Sequence, residues 1–274
     1  RRELQLVYQP RVSIDKFELT GVECLVRWDH PQFGAIRREE FTAIAEEAGI
    51  IDEIERWMLE EACRTLVGWH ERYEQIFFAS TRLSGRQLRD PRLVTTIQTA
   101  IERHRLPAEA LQIELSEASI IDAPDAAHAV LADLRKRGVR IGIDDFGTGH
   151  SSLGQIRRVP FNSMKLDRAL MADLYTDPWA QGVTAAVLAM ARAMQIRSVA
   201  DGIDDAGTVE MLRALGCDEI QGQLVSPPLK ARDFEDWLER GGARHLGRQR
   251  IEDLGTALDL PDAAVDDIMK WANG

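Results

Sequence analysis

The 274-residue sequence predicts an α/β fold, a closed (β/α)8 barrel. From residue 76 to residue 222, short apolar or alternating segments of strand length take turns with longer amphipathic segments of helix length. This alternation is typical of a parallel sheet whose strands are connected by helices. Seven or eight such units fit into the chain, and this number favours a closed barrel over an open sheet.

Strands and helices follow from the hydrophobic periodicity and from the residues that end them. Pro10 is expected to end the first strand, since proline donates no hydrogen bond to a sheet, and Gly49 and Gly138 are expected to end helices. Helices are predicted at 39–48, around a core stripe from 54 to 69, from 90 onward, and at 124–137, 178–194 and 205–215. Strands are predicted at 4–9, 17–28, 76–84, 111–116, 139–143, 161–167, 197–201 and 219–222.

Composition and charge argue against several classes of protein. A net charge of −11 disfavours non-specific binding to nucleic acid or to anionic membranes. The three cysteines are scattered without a CxxC pair, so neither a disulfide framework nor a zinc site is expected. The longest apolar run, 183–194, is too short to cross a bilayer, and no signal peptide is recognisable. We therefore expect a cytoplasmic domain with no membrane insertion and no DNA or RNA partner, cut at Arg1 from a longer chain.

Two adjacent carboxylates follow the predicted strand at 139–143. Asp144 and Asp145 lead into a loop of small residues, GTGHSS, at 147–152. Adjacent carboxylates repel one another, so a cation or paired donors are needed at this point. Hard carboxylates beside such a loop suit a divalent metal ion and a phosphate ester. A plain surface turn is the alternative, because Asp, Gly, Thr and Ser are common turn residues.

Polar residues also lie at the ends of other predicted strands. The carboxyl ends of the strands in a (β/α)8 barrel meet at one face, where catalytic residues collect. Taken alone, a pair such as Glu23 and Arg27 on one face of a strand is more often structural than catalytic. Repetition over successive strands is what indicates a functional site. The candidate members are Glu23, Arg82, Glu114, Asp144, Asp145, Lys165, Asp201 and Gln221.

Eight short segments form an ordered set along the chain. They are YQP at 8–10, ECLVRW at 23–28, EEFTAIAEEAGI at 39–50, IELSE at 113–117, DDFGTGHSSL at 144–153, MKLD at 164–167, ADGID at 200–204 and QGQLVSPPL at 221–229. Together they resemble the EAL family of bacterial cyclic-di-GMP phosphodiesterases, over about residues 4–238. The resemblance implies an EAL-type barrel with one antiparallel strand, which hydrolyses cyclic di-GMP to linear pGpG with two Mg²⁺ or Mn²⁺ ions. It also implies a homodimer and an upstream sensor or cyclase-like domain.

The resemblance assigns roles to individual side chains of this sequence. Lys165 would lie beside the attacked phosphate and orient or activate water, acting with Glu23 and Asp201 as the catalytic set. Glu117 would hold the loop after Asp145 in place. The implied metal ligands are Glu23, Glu114, Asp144 and Asp145, and the implied dinucleotide contacts are Gln9, Arg27 (through a phosphate) and Gln221 at the edge of the site.

Two positions depart from the family pattern. Arg82 stands where the family has an asparagine metal ligand, and arginine offers no lone pair to a metal. We therefore expect Arg82 to form an ion-pair network with Glu23, Glu114 and Asp144 in place of the first metal. Asp201 stands where the family has glutamate, which draws the carboxylate back by one carbon, about 1.5 Å.

Three functions are consistent with this sequence. The first is a degenerate EAL domain that binds cyclic di-GMP as a receptor or regulator and hydrolyses it weakly or not at all, without metal because of Arg82. The second is an active phosphodiesterase dependent on Mg²⁺ or Mn²⁺, in which Arg82 swings aside. The third is a protein-interaction module that no longer binds nucleotide, which the presence of Gln9 and Arg27 argues against.

A C-terminal extension is predicted beyond the resemblance. The barrel domain would comprise residues 1–240 and the extension residues 241–274, with two short amphipathic helices at 250–258 and 261–271. We expect these helices to pack on the barrel. A contact with a partner chain or with a second copy is the alternative.

Overall fold

The structure is a computed structural model that describes residues 3–36, 38–73, 77–147 and 159–247. Its strands are β1 (Leu4–Ser13), β2 (Leu19–His30), β3 (Gly34–Ile36), β4 (Phe78–Arg82), β5 (Leu111–Ser116), β6 (Arg140–Phe146), β7 (Ser163–Leu166), β8 (Arg197–Ala200) and β9 (Glu219–Ile220). Eight of them close a barrel in the order β1, β2, β4, β5, β6, β7, β8, β9 and back to β1, while β3 extends β2 at one side. Within the barrel, β1 is antiparallel to both neighbours and the other pairs are parallel. The predicted fold class, including its single antiparallel strand, is confirmed.

Helices cover the outside of the barrel. Asp205, for example, begins one of them by accepting a hydrogen bond of 2.8 Å from the amide of Thr208, a typical N-terminal cap. No helix within the described ranges combines the length and the apolar character that crossing a membrane requires. The helices are α1 (Arg38–Glu47), α2 (Ile51–Tyr73), α3 (Leu93–His104), α4 (Glu117–Asp122), α5 (Pro124–Lys136), α6 (Arg168–Ala172), α7 (Pro178–Ala193), α8 (Ala206–Leu215) and α9 (Ala231–Glu239).

The predicted end of the first strand at Pro10 is wrong, because β1 continues to Ser13. Tyr8, two residues earlier, directs its amide away from β2 and donates it to the carbonyl of Leu229. The missing amide hydrogen of Pro10 therefore faces the same side, where β9 pairs with β1 only from Val12 onward. A proline is tolerated in a strand where no ladder hydrogen bond is required of it.

Alternation along β5 separates an apolar outer layer from a polar interior. Leu111, Ile113 and Leu115 are fully buried in the apolar core cluster that includes residues of α2, α3 and α5. Gln112 and Glu114 point the other way, since successive side chains of a strand face opposite sides. Glu114 forms an ion pair with Arg11 of β1, a strand that is not adjacent to β5, so this pair crosses the interior of the barrel.

The described beginning of the predicted C-terminal extension packs on the barrel. Ala243 is buried in the core cluster that includes Val12 and Phe17, and Leu246 packs against the same cluster. The two helices predicted at 250–258 and 261–271 lie outside the described residues. The domain boundary at 240/241 stays a prediction.

Gly21 allows close packing between β2 and β4, and we expect its substitution to be costly. A Cβ atom at Gly21 would lie 2.6 Å from the ring of Phe78, and the guanidinium groups of Arg11 and Arg140 pack against that ring. Gly21→Ala should lower the free energy of unfolding by about 1–3 kcal/mol, the usual cost of overpacking a core.

Gly68→Ala is the matched control, measured by the same urea unfolding experiment. Gly68 is exposed within α2, and a Cβ atom there would meet nothing within 4 Å. This substitution should stabilise the protein by about 0.5–1 kcal/mol, because alanine is the better helix former. Equal effects of the two substitutions would contradict the packing described for Phe78.

Candidate functional site

Lys165 lies at the centre of the site, inside the carboxyl end of the barrel. Its Nζ atom is 2.9 Å from Oε2 of Glu23, 2.8 Å from Oε2 of Glu114 and 3.4 Å from Oδ1 of Asp144. These four side chains come from β7, β2, β5 and β6, and all four are buried. A buried charge is costly unless it is paired, so the lysine and the carboxylates depend on one another.

The charges in this cluster shift its pKa values in opposite directions. Burial alone would raise the pKa of Glu114, but the charges of Lys165 and Arg11 outweigh it and hold that pKa well below its usual value. The pKa of Glu23 is lowered as well, because the effect of burial is outweighed by the charge of Lys165 and by hydrogen bonds from Lys165 and Gln221. Asp144 differs, because burial exceeds the effect of Lys165 and raises its pKa. Glu23 and Glu114 are therefore firmly ionised at neutral pH.

The carboxylates of Glu23, Glu114 and Asp144 could hold a metal ion. Each offers an oxygen, and the three oxygens lie within 4.8 Å of one another. Hard carboxylate oxygens are the donors that Mg²⁺ and Mn²⁺ prefer. The donor set thus fits one divalent cation, which would compete with the ammonium group of Lys165.

Arg82, at the end of β4, contacts the adjacent pair Asp144 and Asp145. Its Nη2 atom donates a hydrogen bond to Oδ2 of Asp145 and lies 3.3 Å from Oδ2 of Asp144. The backbone of Asp145 is left-handed, with φ 54°, and its side chain is 41% exposed. The prediction that Arg82 pairs with Glu23 and Glu114 is wrong. Among the described residues, Lys165 is the cation that bridges those two glutamates. Arg82 covers the solvent-facing side of the cluster, so a second metal ion between Asp144 and Asp145 does not fit the side chains as they stand.

The predicted nucleotide contacts differ in their distance from this cluster. Gln221, which follows β9, donates through Nε2 to Oε2 of Glu23 at 2.6 Å and to Oε1 of Gln9 at 3.2 Å. Gln9 in turn donates to the carbonyl of Ser226 at 3.3 Å. Arg27 lies four residues beyond Glu23 on β2, where its half-exposed side chain pairs with Asp29 at 2.8 Å. The structure therefore brings Gln9 and Gln221 to the cluster and leaves Arg27 farther out along the strand.

Glu117 and Asp201 flank the cluster. Glu117 begins α4, and its Oε2 accepts a hydrogen bond of 3.3 Å from the amide of Gly147. This contact ties α4 to the loop that follows Asp145. Gly147 is the last residue of that loop that the structure describes, because 148–158 lie outside the described residues. Asp201 directly follows β8, where burial, only partly offset by Lys165, raises its pKa to about 6.

Sequence reasoning missed two interior residues, Arg11 and Gln112. Arg11 is fully buried, and its Nη2 lies 2.7 Å from Oε1 of Glu114. Gln112 donates to the same oxygen at 2.8 Å. The available signal was alternation, since Arg11 continues the face of β1 that carries Gln9, and Gln112 continues the face of β5 that carries Glu114.

Comparison with known proteins agrees with this geometry. Residues 1–228 match the family described as EAL domain. MucR of Pseudomonas aeruginosa, a bifunctional diguanylate cyclase/cyclic di-GMP phosphodiesterase, is 36% identical over 85% of this chain and 34% of its own length. PdeR of Escherichia coli, a cyclic di-GMP phosphodiesterase, is 31% identical over 87% of this chain and 36% of its own length.

Solved structures share the barrel. A complex of the PaMucR phosphodiesterase with c-di-GMP superposes with a TM-score of 0.82 at 36% identity, covering 85% of this chain and 95% of that one. The EAL domain of FimX from Pseudomonas aeruginosa, bound to c-di-GMP, gives a TM-score of 0.75 at 25% identity, covering 83% and 91%. The chain spans about a third of the length of the curated relatives MucR and PdeR. The match over residues 1–228 and the shared barrel show that this chain belongs to the EAL domain family.

Proposed function

We propose that this domain binds cyclic di-GMP at the mouth of the barrel and hydrolyses it weakly or not at all, so that it works as a receptor. The observation that carries the proposal is the contact of Arg82 with Asp144 and Asp145. Relatives named as cyclic di-GMP phosphodiesterases, and EAL structures bound to this nucleotide, support it as the ligand.

Arg82 disfavours a metal ion at the solvent-facing side of the cluster. A unit charge about 4 Å away, at an effective dielectric constant of 20, contributes on the order of 4 kcal/mol before desolvation is counted. The fixed charge of the guanidinium repels a cation by an amount of this order and occupies carboxylate oxygens that the cation needs. It also places a positive charge where a phosphodiester can be bound without metal.

The surroundings of Arg82 offer room for a nucleotide. A cavity of about 490 Å³ opens beside it and is lined by residues of α1, α2, α4 and β2, by the ends of β4 and β5 and by the loop after β4, a volume typical of small-ligand sites. Val26 and Ile54, which are only partly buried, supply apolar surface for a base, and Ser84 and Ser116 supply hydroxyl groups. Arg27, whose partner Asp29 is also partly exposed, is available to a phosphate at little cost.

An active phosphodiesterase is the second candidate, and the acidic cluster favours it. Glu23, Glu114 and Asp144 would hold the ion, which when bound supplies Lewis-acid polarisation of a phosphoryl oxygen and a more acidic water. Lys165 is fixed beside these carboxylates and can orient a phosphate oxygen or a water molecule. In this case Arg82 would have to leave Asp144 and Asp145 before the nucleotide is cleaved.

Replacement of Arg82 by asparagine discriminates between the two candidates. Arg82→Asn removes the guanidinium from Asp144 and Asp145 and supplies a carbonyl oxygen that can ligate Mg²⁺. Formation of pGpG in Mg²⁺ or Mn²⁺, measured by chromatography, should rise at least about tenfold, because the substitution removes a repulsion of the cation on the order of 4 kcal/mol before desolvation and adds a neutral oxygen donor.

Arg86→Asn is the control for this experiment, since Arg86 is exposed and lies four residues farther along the chain. It removes the same charge and should leave pGpG formation unchanged. A wild-type protein that already forms pGpG as fast as Arg82→Asn would contradict the receptor proposal and favour the active enzyme.

Replacement of Arg27 by alanine tests the proposed nucleotide contact. Arg27→Ala should weaken cyclic di-GMP binding, measured by calorimetry in chelator, by roughly 1.5–3 kcal/mol, the range for a hydrogen bond to a charged group. Arg64→Ala, which removes an exposed arginine paired with Glu61 on α2, is the control. Unchanged affinity in Arg27→Ala would place the nucleotide elsewhere, and wild-type protein that binds no cyclic di-GMP would favour an interaction module.

Asp201 gives stability a pH dependence that can be isolated. Its pKa of about 6 lies above the unfolded value of 3.8, so the folded state binds this proton more tightly than the unfolded chain. Ionisation of Asp201 therefore destabilises the fold as pH rises from about 4 to above 6. The free energy of unfolding of Asp201→Asn should exceed that of wild type by roughly 1–3 kcal/mol at pH 8, since a pKa shift of one unit corresponds to about 1.4 kcal/mol.

Urea unfolding in chelator at several pH values between 4 and 8 measures this difference. The gain should shrink towards zero at pH 4, where Asp201 of the folded protein is protonated and therefore neutral, like asparagine. Asp173→Asn, at an exposed carboxylate, controls for net charge. A gain that does not change with pH would show that burial of the Asp201 charge is not its origin.

A further inference from the structure

Arg11 is a fully buried cation beneath the acidic cluster. Its guanidinium lies inside the barrel, with Cζ 5.3 Å from the centre of the Phe78 ring. Within the described residues, Nε and Nη1 of Arg11 have no hydrogen-bond partner, and the hydrogen-bonded ion pair that it forms is the one to Glu114. A buried charge is costly unless it is paired, so Arg11 depends on Glu114, the carboxylate of the cluster to which it is hydrogen-bonded.

Glu114 is held between two cations on opposite sides. Its Oε1 accepts hydrogen bonds from Arg11 at 2.7 Å and from Gln112 at 2.8 Å, and its Oε2 accepts one from Lys165 at 2.8 Å. Arg82 closes the other end of the cluster through Asp144 and Asp145. Counted without the flanking Asp201, four carboxylates thus face three cations: Lys165 in the middle and one arginine at each end.

We propose that Arg11 is a positioning residue that sets the affinity of the cluster for divalent cations. Arg11 and Arg82 together bring two positive charges, the charge of one Mg²⁺ or Mn²⁺ ion, to the carboxylates that would hold it. Arg11 does so from inside the barrel, where neither solvent nor nucleotide reaches it. The inference deepens the proposed function, because it explains why nucleotide binding would not need metal, but it concerns a property of the protein without nucleotide.

Two other charged residues lie near Arg11, but neither forms an ion pair with a carboxylate of the cluster as Arg11 does. Glu219 is a second buried carboxylate that interacts with Arg11, but it lies outside the cluster and its ion pair is with Arg197 at 3.4 Å. Arg140 lies over the same Phe78 ring, with Cζ 4.4 Å from its centre, and donates to Gln112 rather than to a carboxylate of the cluster. Arg140, whose side chain is half-buried, therefore provides the control for the loss of one guanidinium near Phe78.

Calorimetric titration of the chelator-treated 274-residue chain with Mn²⁺ alone tests the inference. Arg11→Gln should bind Mn²⁺ at least tenfold more tightly than wild type. The variant with both Arg11→Gln and Arg82→Asn should bind more tightly than either single variant. Arg11→Lys, which keeps the charge, and Arg140→Gln, which removes a charge that does not touch the cluster, should each stay within about threefold of wild type.

Thermal unfolding with and without Mn²⁺ covers the case in which loss of Arg11 weakens the fold. Arg11→Gln leaves Glu114 with a buried charge less well paired, so Mn²⁺ should raise its unfolding temperature more than that of wild type. Unchanged or weaker Mn²⁺ binding by folded Arg11→Gln would overturn the inference, and so would an unfolded variant that Mn²⁺ does not restore. Since nucleotide is absent, a failure of cyclic di-GMP binding would refute the proposed function without affecting this result.

Discussion

The ammonium group of Lys165 is the contact on which the rest of the site depends. It is buried against Glu23, Glu114 and Asp144, which three different strands bring to one point. Removal of one partner from such a set leaves an uncompensated buried charge and costs several kcal/mol. The interior of the barrel thus contains buried charges of both signs that must nearly cancel. This requirement constrains which charged residues can occupy the positions next to the cluster.

That constraint links stability to function. A cluster with more carboxylates than cations is less stable when empty but attracts a divalent ion, whereas added arginines stabilise it and exclude the ion. In the functions proposed above, Arg11 and Arg82 act in the second direction from opposite ends of the same cluster. If position 82 carries a neutral metal ligand in the family, as the resemblance implies, then arginine at this position changes more than one ligand, because it also changes the charge that the whole cluster presents to a cation.

Sequence reasoning predicted most of the barrel because alternation and chain length are local signals. The match of β5 to the predicted 111–116 and the gathering of Glu23, Glu114, Asp144 and Lys165 follow from these signals. The errors arise where a residue distant in sequence determines whether a strand continues or a side chain is buried. Pro10 is accepted because β9 pairs with β1 only beyond it, and the burial of Arg11 depends on Glu114, 103 residues away. The reach of Arg82 to Asp145 depends on the left-handed turn after Asp144, which residue types alone do not specify.

The two arginines differ in what can move them. Arg82 is 27% exposed and contacts Asp145 at the barrel mouth, so a phosphate that enters the neighbouring cavity competes directly for its guanidinium. Arg11 is enclosed on all sides and has no such competitor. A bound nucleotide can therefore change the charge balance of the cluster at Arg82, on the side of the barrel mouth, but not at Arg11, in the barrel interior. Under the proposed role of Arg11, its interior pair with Glu114 therefore limits how negative the cluster becomes, even when Arg82 turns away from it.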